Sequence, residues 1–162
     1  MHRFAKHVGE NLAPTMLRSD PQEDLRPSFA RSISLDGNQL AIGCMNAFNG
    51  TGAAIIYQKQ NEKFIFEVAL TPVTNERRAN FGSDISILGD RLAIAGWRSD
   101  QVALFERQAE HWQQTVILYG GDHFADECGF GDSIDLHPNE LLISDGSTKT
   151  LGGQIFTYHY QD

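Results

Sequence analysis

The densest grouping of side chains able to do chemistry is Asp122-His123-Phe124-Ala125-Asp126-Glu127-Cys128, closed by Asp132. Carboxylate, imidazole and thiol together are donors that a transition metal takes. Their spacing follows no zinc pattern. The stretch also falls in a polar, turn-rich linker of a kind that recurs at 19–28 and 71–80, so a solvated linker is the reading preferred here. Histidines at 2, 7, 111, 123, 137 and 159 scatter over the chain and select no catalytic pair. Ser147 and Thr148 lack a nucleophile-elbow context, and the turn glycines form no phosphate loop. The adjacent carboxylates Glu23-Asp24 and Asp126-Glu127 read as solvated loop residues. The expectation is no catalytic residue, no cofactor and no metal site. Trp97 is the odd large apolar side chain, next to Arg98. Aromatic and Arg residues together favour a recognition surface, while packing over a strand edge is the alternative.

The elements that must position these residues are written three times. Phe29–Gly43 reads FARSISLDGNQLAIG, Phe81–Gly96 reads FGSDISILGDRLAIAG, and Phe130–Ser144 reads FGDSIDLHPNELLIS. The opening Phe recurs after 52 and then 49 residues, and Leu40, Leu92 and Leu141 keep step. A period near 50 residues with four short apolar runs per unit signals radially repeated β-structure. Strand A, with Ile and Leu facing inward between polar neighbours, is expected at 32–35, 84–88 and 133–136. A tight Gly/Asn/Asp/Pro turn leads to strand B at 39–42, 91–95 and 140–143, which is apolar enough to be covered on both faces. Strand C ends on Tyr57, Phe105 or Tyr158, and strand D is expected at 64–70 and 112–118.

The same spacing reaches the N-terminus. Phe4 to Leu17 is thirteen residues, as is Phe105 to Leu118, and Leu17 to Phe29 is twelve, as is Leu118 to Phe130. Residues 1–18 therefore read as a half-blade ending in strand D, followed by repeats at 29–70, 81–118 and an incomplete one at 130–162. The fold class is all-β: three four-stranded antiparallel propeller blades forming a partial propeller or arc, in one domain. Its N-terminal strand is able to complete the last blade. Two chains could then close a six-bladed ring with twofold symmetry, since unpaired edges invite association and rings usually need about 4–8 blades. The other reading is a fragment or arc of a larger propeller.

Composition narrows the partners. The formal charge of −8 argues against a phosphate-backbone ligand, and Arg77-Arg78 is too small a basic cluster to offset it. No apolar run approaches the ~20 residues that span a bilayer. The opening MHRFAKHVGEN carries positive charge without an apolar core, so no signal peptide is seen. Two cysteines, Cys44 and Cys128, make no disulfide framework.

The order F-G-x-S-[IV]-S-[IL]-x-G-[DN]-x-L-A-I-G, then a Gly-Ala strand ending in an aromatic, then a strand leading into L-T-P, resembles the FG-GAP repeat of integrin α-subunits and bacterial surface proteins. The second unit is nearest, with Phe81-Gly82, Gly89–Ile94 and Trp112. Departures are Ala30, where the repeat has Gly, and Gly43-Cys44-Met45, Ala95-Gly96-Trp97 and Ser144-Asp145-Gly146 in place of G-A-P. The resemblance implies a propeller with ligand recognition on one face, an extracellular or cell-surface setting, and calcium in some B–C loops. Calcium needs several oxygen ligands at alternating positions. Asn46, Asn49 and Thr51 in the first loop, Asp100 in the second and Asp145 with Lys149 in the third do not supply them, so calcium is not expected.

The B–C loops differ between copies while the strands hardly vary, and variable loops on a repeated scaffold commonly carry recognition. The leading expectation is a non-catalytic binding module for a protein or glycan, with Asn46, Asn49, Trp97, Arg98, Asp100, Asp145 and Lys149 as candidate ligand-binding residues. One alternative is a piece of a larger surface protein without a role of its own. The other is an enzyme with a central-channel site, which needs convergent polar residues on strand A. Only Asp84 and Asp135 stand out there, and a hydrogen bond at the sheet edge is expected for each.

Overall fold

The computed structural model describes Leu17 and residues 28–73, 79–120, 129–146 and 152–160. Among these described residues the alternating and apolar runs form eleven strands. Blade 1 comprises β1 (Ser32–Asp36), β2 (Gln39–Cys44), β3 (Ala53–Gln60) and β4 (Lys63–Leu70). Blade 2 comprises β5 (Phe81–Leu88), β6 (Arg91–Gly96), β7 (Gln101–Gln108) and β8 (His111–Tyr119). Blade 3 comprises β9 (Phe130–Leu136), β10 (Glu140–Asp145) and β11 (Gln154–His159). Within each blade, strands consecutive in sequence pair antiparallel, giving two four-stranded sheets and one three-stranded sheet among the described residues. The fold is thus the expected all-β, propeller-like arc. The strand expected around Phe4 and the metal-like stretch at 122–128 lie outside the described residues.

Register follows the repeat. Leu40 sits opposite Leu35 and Tyr57, Leu92 opposite Ile87 and Phe105, and Leu141 opposite Leu136 and Tyr158. A register shift falls at the same place in both complete blades, between Ile56 and Tyr57 and between Leu104 and Phe105. Such bulges raise local twist, which suits sheets stacked around an axis.

The core lies between the blades. Ala41, Ala54, Ile56 and Leu70 of blade 1 pack against Phe81, Ile85, Ile87, Leu92, Ile94 and Phe105 of blade 2. The other face of blade 2, with Ala93, Ala95 and Val102, packs against Phe130, Ile134, Leu136 and Ile143. Each fully buried Ile or Leu contributes roughly 1.5–3 kcal/mol relative to exposure. Cys44 lies in the third cluster, fully buried, and burial pushes its thiol up to about 11.

Strand A departs from expectation in one copy. Ile85, Ile87, Ile134 and Leu136 are at most 6% exposed, whereas Ile33 and Leu35 are 68% and 60% exposed. The reason is geometric: strand A buries its apolar side chains against the preceding blade rather than its own sheet.

Polar residues on strand A do a matching job. Ser34 Oγ accepts from the Ile87 N–H at 3.1 Å, and Ser86 Oγ accepts from the Leu136 N–H at 3.0 Å. Asp84 Oδ2 accepts from the Ile134 N–H at 2.7 Å. The bond expected at a sheet edge is therefore a bond between blades at Asp84. Asp135 is exposed and pairs instead with His137 at 3.1 Å. Lower on the strands, Gln39 Nε2 donates to the Gly89 carbonyl and Arg91 Nη2 to the Pro138 carbonyl, again equivalent positions 52 and 49 residues apart.

Candidate functional site at the loop end of the blades

Strand A starts, and strand B ends, at one end of the arc, so the B–C loops gather there. In blade 1 the loop holds a four-residue helical segment, Ala47–Gly50, with positive φ at Phe48 and Asn49. In blade 2 the shorter loop makes a single 3₁₀ turn at Trp97–Ser99 and closes on Asp100 in the left-handed region. Each loop also holds the start of the next blade. The Asn80 and Phe81 N–H groups donate to the Gly50 and Thr51 carbonyls, while those of Gly129 and Phe130 donate to Asp100 Oδ1 at 3.2 and 3.0 Å.

Two adjoining depressions open between these loops. A pocket of about 190 Å³ is lined by Arg31, Met45, Ser83, Trp97, Gly131 and Asp132. Arg31, Ser83 and Asp132 are the same repeat position, 52 and 49 residues apart, so three blades contribute one residue each. A shallower groove of about 450 Å³ runs from Met45 and Trp97 to Asn46, Asn49, Asn80 and Arg98.

Trp97, which with Met45 lines both, is 40% exposed. Its backbone N–H donates to Ser83 Oγ at 3.1 Å, and that hydroxyl donates to the Ala95 carbonyl at 3.2 Å. Its indole and the Gly146 backbone both lie near the Asp132 carboxylate and interact favourably with its ionised form. Partial burial raises the Asp132 carboxyl above its ordinary value. The Gly146 backbone opposes that rise, the Asp145 and Asp100 charges add to it, and the Trp97 indole again opposes it. The Asn46 amide donates to Ser28 Oγ at 2.6 Å, which anchors the first loop.

Of the residues singled out from sequence, Asn46, Asn49, Trp97 and Arg98 come together on the groove. Asp100 directs its carboxylate at the blade 3 backbone, and Asp145 is 1% exposed, so both serve the scaffold. Lys149 lies outside the described residues. Sequence reasoning missed Arg31, Met45 and Ser83, and noted Asp132 only beside the metal-like stretch. The signal that finds them is their shared phase in the repeat, once that phase is known to face the loop end. Among the described residues no group of three or more His, Cys, Asp or Glu side chains could hold a metal ion, and no helix is long and apolar enough to cross a membrane.

An aromatic wall with amides, guanidinium groups and a carboxylate around it can stack an apolar face and hydrogen-bond its polar rim. No family model matches the chain, and no curated protein matches it in sequence.

Proposed function

We propose that the chain is a non-catalytic binding module of FG-GAP-like propeller blades that presents its B–C loop end to a protein or glycan partner. The observation that carries the reading is Trp97. It stands partly exposed in a loop beside Asn46, Asn49 and Arg98 on the groove, with its backbone N–H held by Ser83 Oγ. A fixed aromatic side chain binds at low entropic cost, and Trp and Arg dominate hot spots. The groove is shallow and lined by amides, Met45, Trp97 and one guanidinium, which suits the rim of a macromolecule or an oligosaccharide rather than an enclosed small molecule. Where the resemblance applies, a cell-surface setting goes with the same proposal.

The test is a screen of arrayed glycans and displayed peptides with the full chain, followed by titration of each hit against Trp97→Ala and Arg98→Ala. Loss of at least about tenfold in affinity is expected for Trp97→Ala. Hits of either class that bind both variants as well as the parent would place recognition elsewhere and defeat the proposal.

A further inference from the structure

The two boundaries between blades share one bond at the same repeat position, Ser34 and Ser86 accepting from the Ile87 and Leu136 N–H groups, and differ at another, where Asp84 accepts from the Ile134 N–H but Ser32 donates to the Gly82 carbonyl. The leading blade offers side-chain acceptors on strand A, and the following blade offers strand A N–H groups with the two apolar residues beside them. At the ends of the arc each half of that boundary lies uncovered. Blade 1 offers Ile33 and Leu35, 68% and 60% exposed, where the following blades bury their counterparts. Blade 3 offers exposed Ser133 and Asp135 at the positions of Asp84 and Ser86.

The outer side repeats the pattern. Leu70 lies in one cluster with Phe81, Ile94 and Phe105, and Leu118 packs in another with Phe130, Ile143 and Tyr158. Leu17 packs with Phe29, Ile42 and Tyr57, the corresponding set on blade 1. It therefore stands where strand D of a preceding blade would stand. Strand D leucines pair across the sheet with Ala54 and Val102, and the matching position on β11 is Ile155, 74% exposed.

We propose that the occupant of both uncovered faces is a second copy of this chain. Blade 3 of each copy docks on blade 1 of the other, and two chains close into a six-bladed ring with twofold symmetry. The half exposed at one end is complementary to the half exposed at the other, in the register the chain already uses twice internally. In the closed ring the Leu35 N–H donates to the Asp135 carboxylate of the other copy, as Ile87 donates to Ser34 and Leu136 to Ser86. Ile33 and Leu35 become covered, and Leu17 comes opposite Ile155 of the other copy. Glu140 replaces the donors Gln39 and Arg91, so the boundary between copies keeps the strand bonds and lacks the turn bond. A head-to-tail contact of this kind closes when the rotation fits and otherwise propagates into polymers.

Sedimentation velocity on the full chain tests this, with Ile33→Glu on one half of the boundary, Asp135→Lys on the other, and Val116→Glu on exposed β8 as control. The expected mass is twice 18.0 kDa for the parent and the control. Each boundary variant alone sediments as one chain, with an unchanged circular dichroism spectrum because both positions are exposed. Mixing the two variants restores the double mass: one boundary is then untouched, and the other sets the introduced acid against the introduced amine. A single-chain or indefinitely polymeric parent overturns the proposal. So does persistence of the dimer in both variants, or a mixture that remains single-chain.

Discussion

At the scale of single residues, the repeat supplies its own controls. Ala30, Gly82 and Gly131 are one position, and all three take positive φ, at 60°, 86° and 90°. Ala carries a steric cost there that Gly avoids. Ala30→Gly is therefore expected to stabilise the chain by about 1 kcal/mol. Gly82→Ala is expected to destabilise it by more than that, because a Cβ would also meet the Ala53 carbonyl oxygen and the Gly43 backbone. Urea denaturation of the two variants reads both signs, and equal effects would contradict the shared conformation. Asp132 gives a second residue-scale prediction. Its raised carboxyl means the fold disfavours the ionised form, so this contribution is fully present below the ordinary value of 3.8 and is lost as pH rises through the folded value. Asp132→Asn removes the ionisation while keeping an oxygen beside Trp97. The variant should gain stability over the parent at pH 7, with the gain vanishing below pH about 3.8 in matched urea melts. A gain that grows toward acid would reverse the sign.

At the scale of elements, the apolar core between blades is supplemented by a few side-chain acceptors for strand A N–H groups. Ser86, buried, accepts from Leu136, so Ser86→Ala leaves a donor without its acceptor and should cost about 1–3 kcal/mol. Asp84→Asn keeps an oxygen for the Ile134 N–H and should cost much less than Asp84→Ala, as read by chemical denaturation. Equal costs for Asn and Ala would show that the bond contributes nothing. Strand positions, hairpins and the repeat were legible in the sequence because alternation, turn residues and a fixed period are local properties. The destination of Ile33 and Leu35 was not: alternation tells which side chains share a face and leaves open whether the neighbouring sheet is present. Asp84 and Asp100 illustrate the same limit. Each carboxylate satisfies backbone groups of the next blade, 50 and about 30 residues away in sequence, a pairing that becomes visible only when the blades are stacked. Trp97, Arg98, Asn46 and Asn49 were legible because they break the repeat, whereas Arg31 and Ser83 obey its phase and so drew no notice.

At the scale of the whole molecule, a boundary made twice inside the chain leaves its two halves at the ends of an arc. The loop end then acquires a second meaning, since a closed ring would carry two grooves around Trp97 on one face. Bivalent display raises apparent affinity for a repeated ligand without any new contact. The Leu35 amide distinguishes ring from arc within a single sample, because Ile87 and Leu136 serve as internal references for the same bond. Hydrogen exchange followed by nuclear magnetic resonance at high protein concentration should find the Leu35 amide as slow as those two. Exchange at Leu35 as fast as in an open strand, with Ile87 and Leu136 still protected, would show that blade 1 meets water where a second copy is proposed to stand.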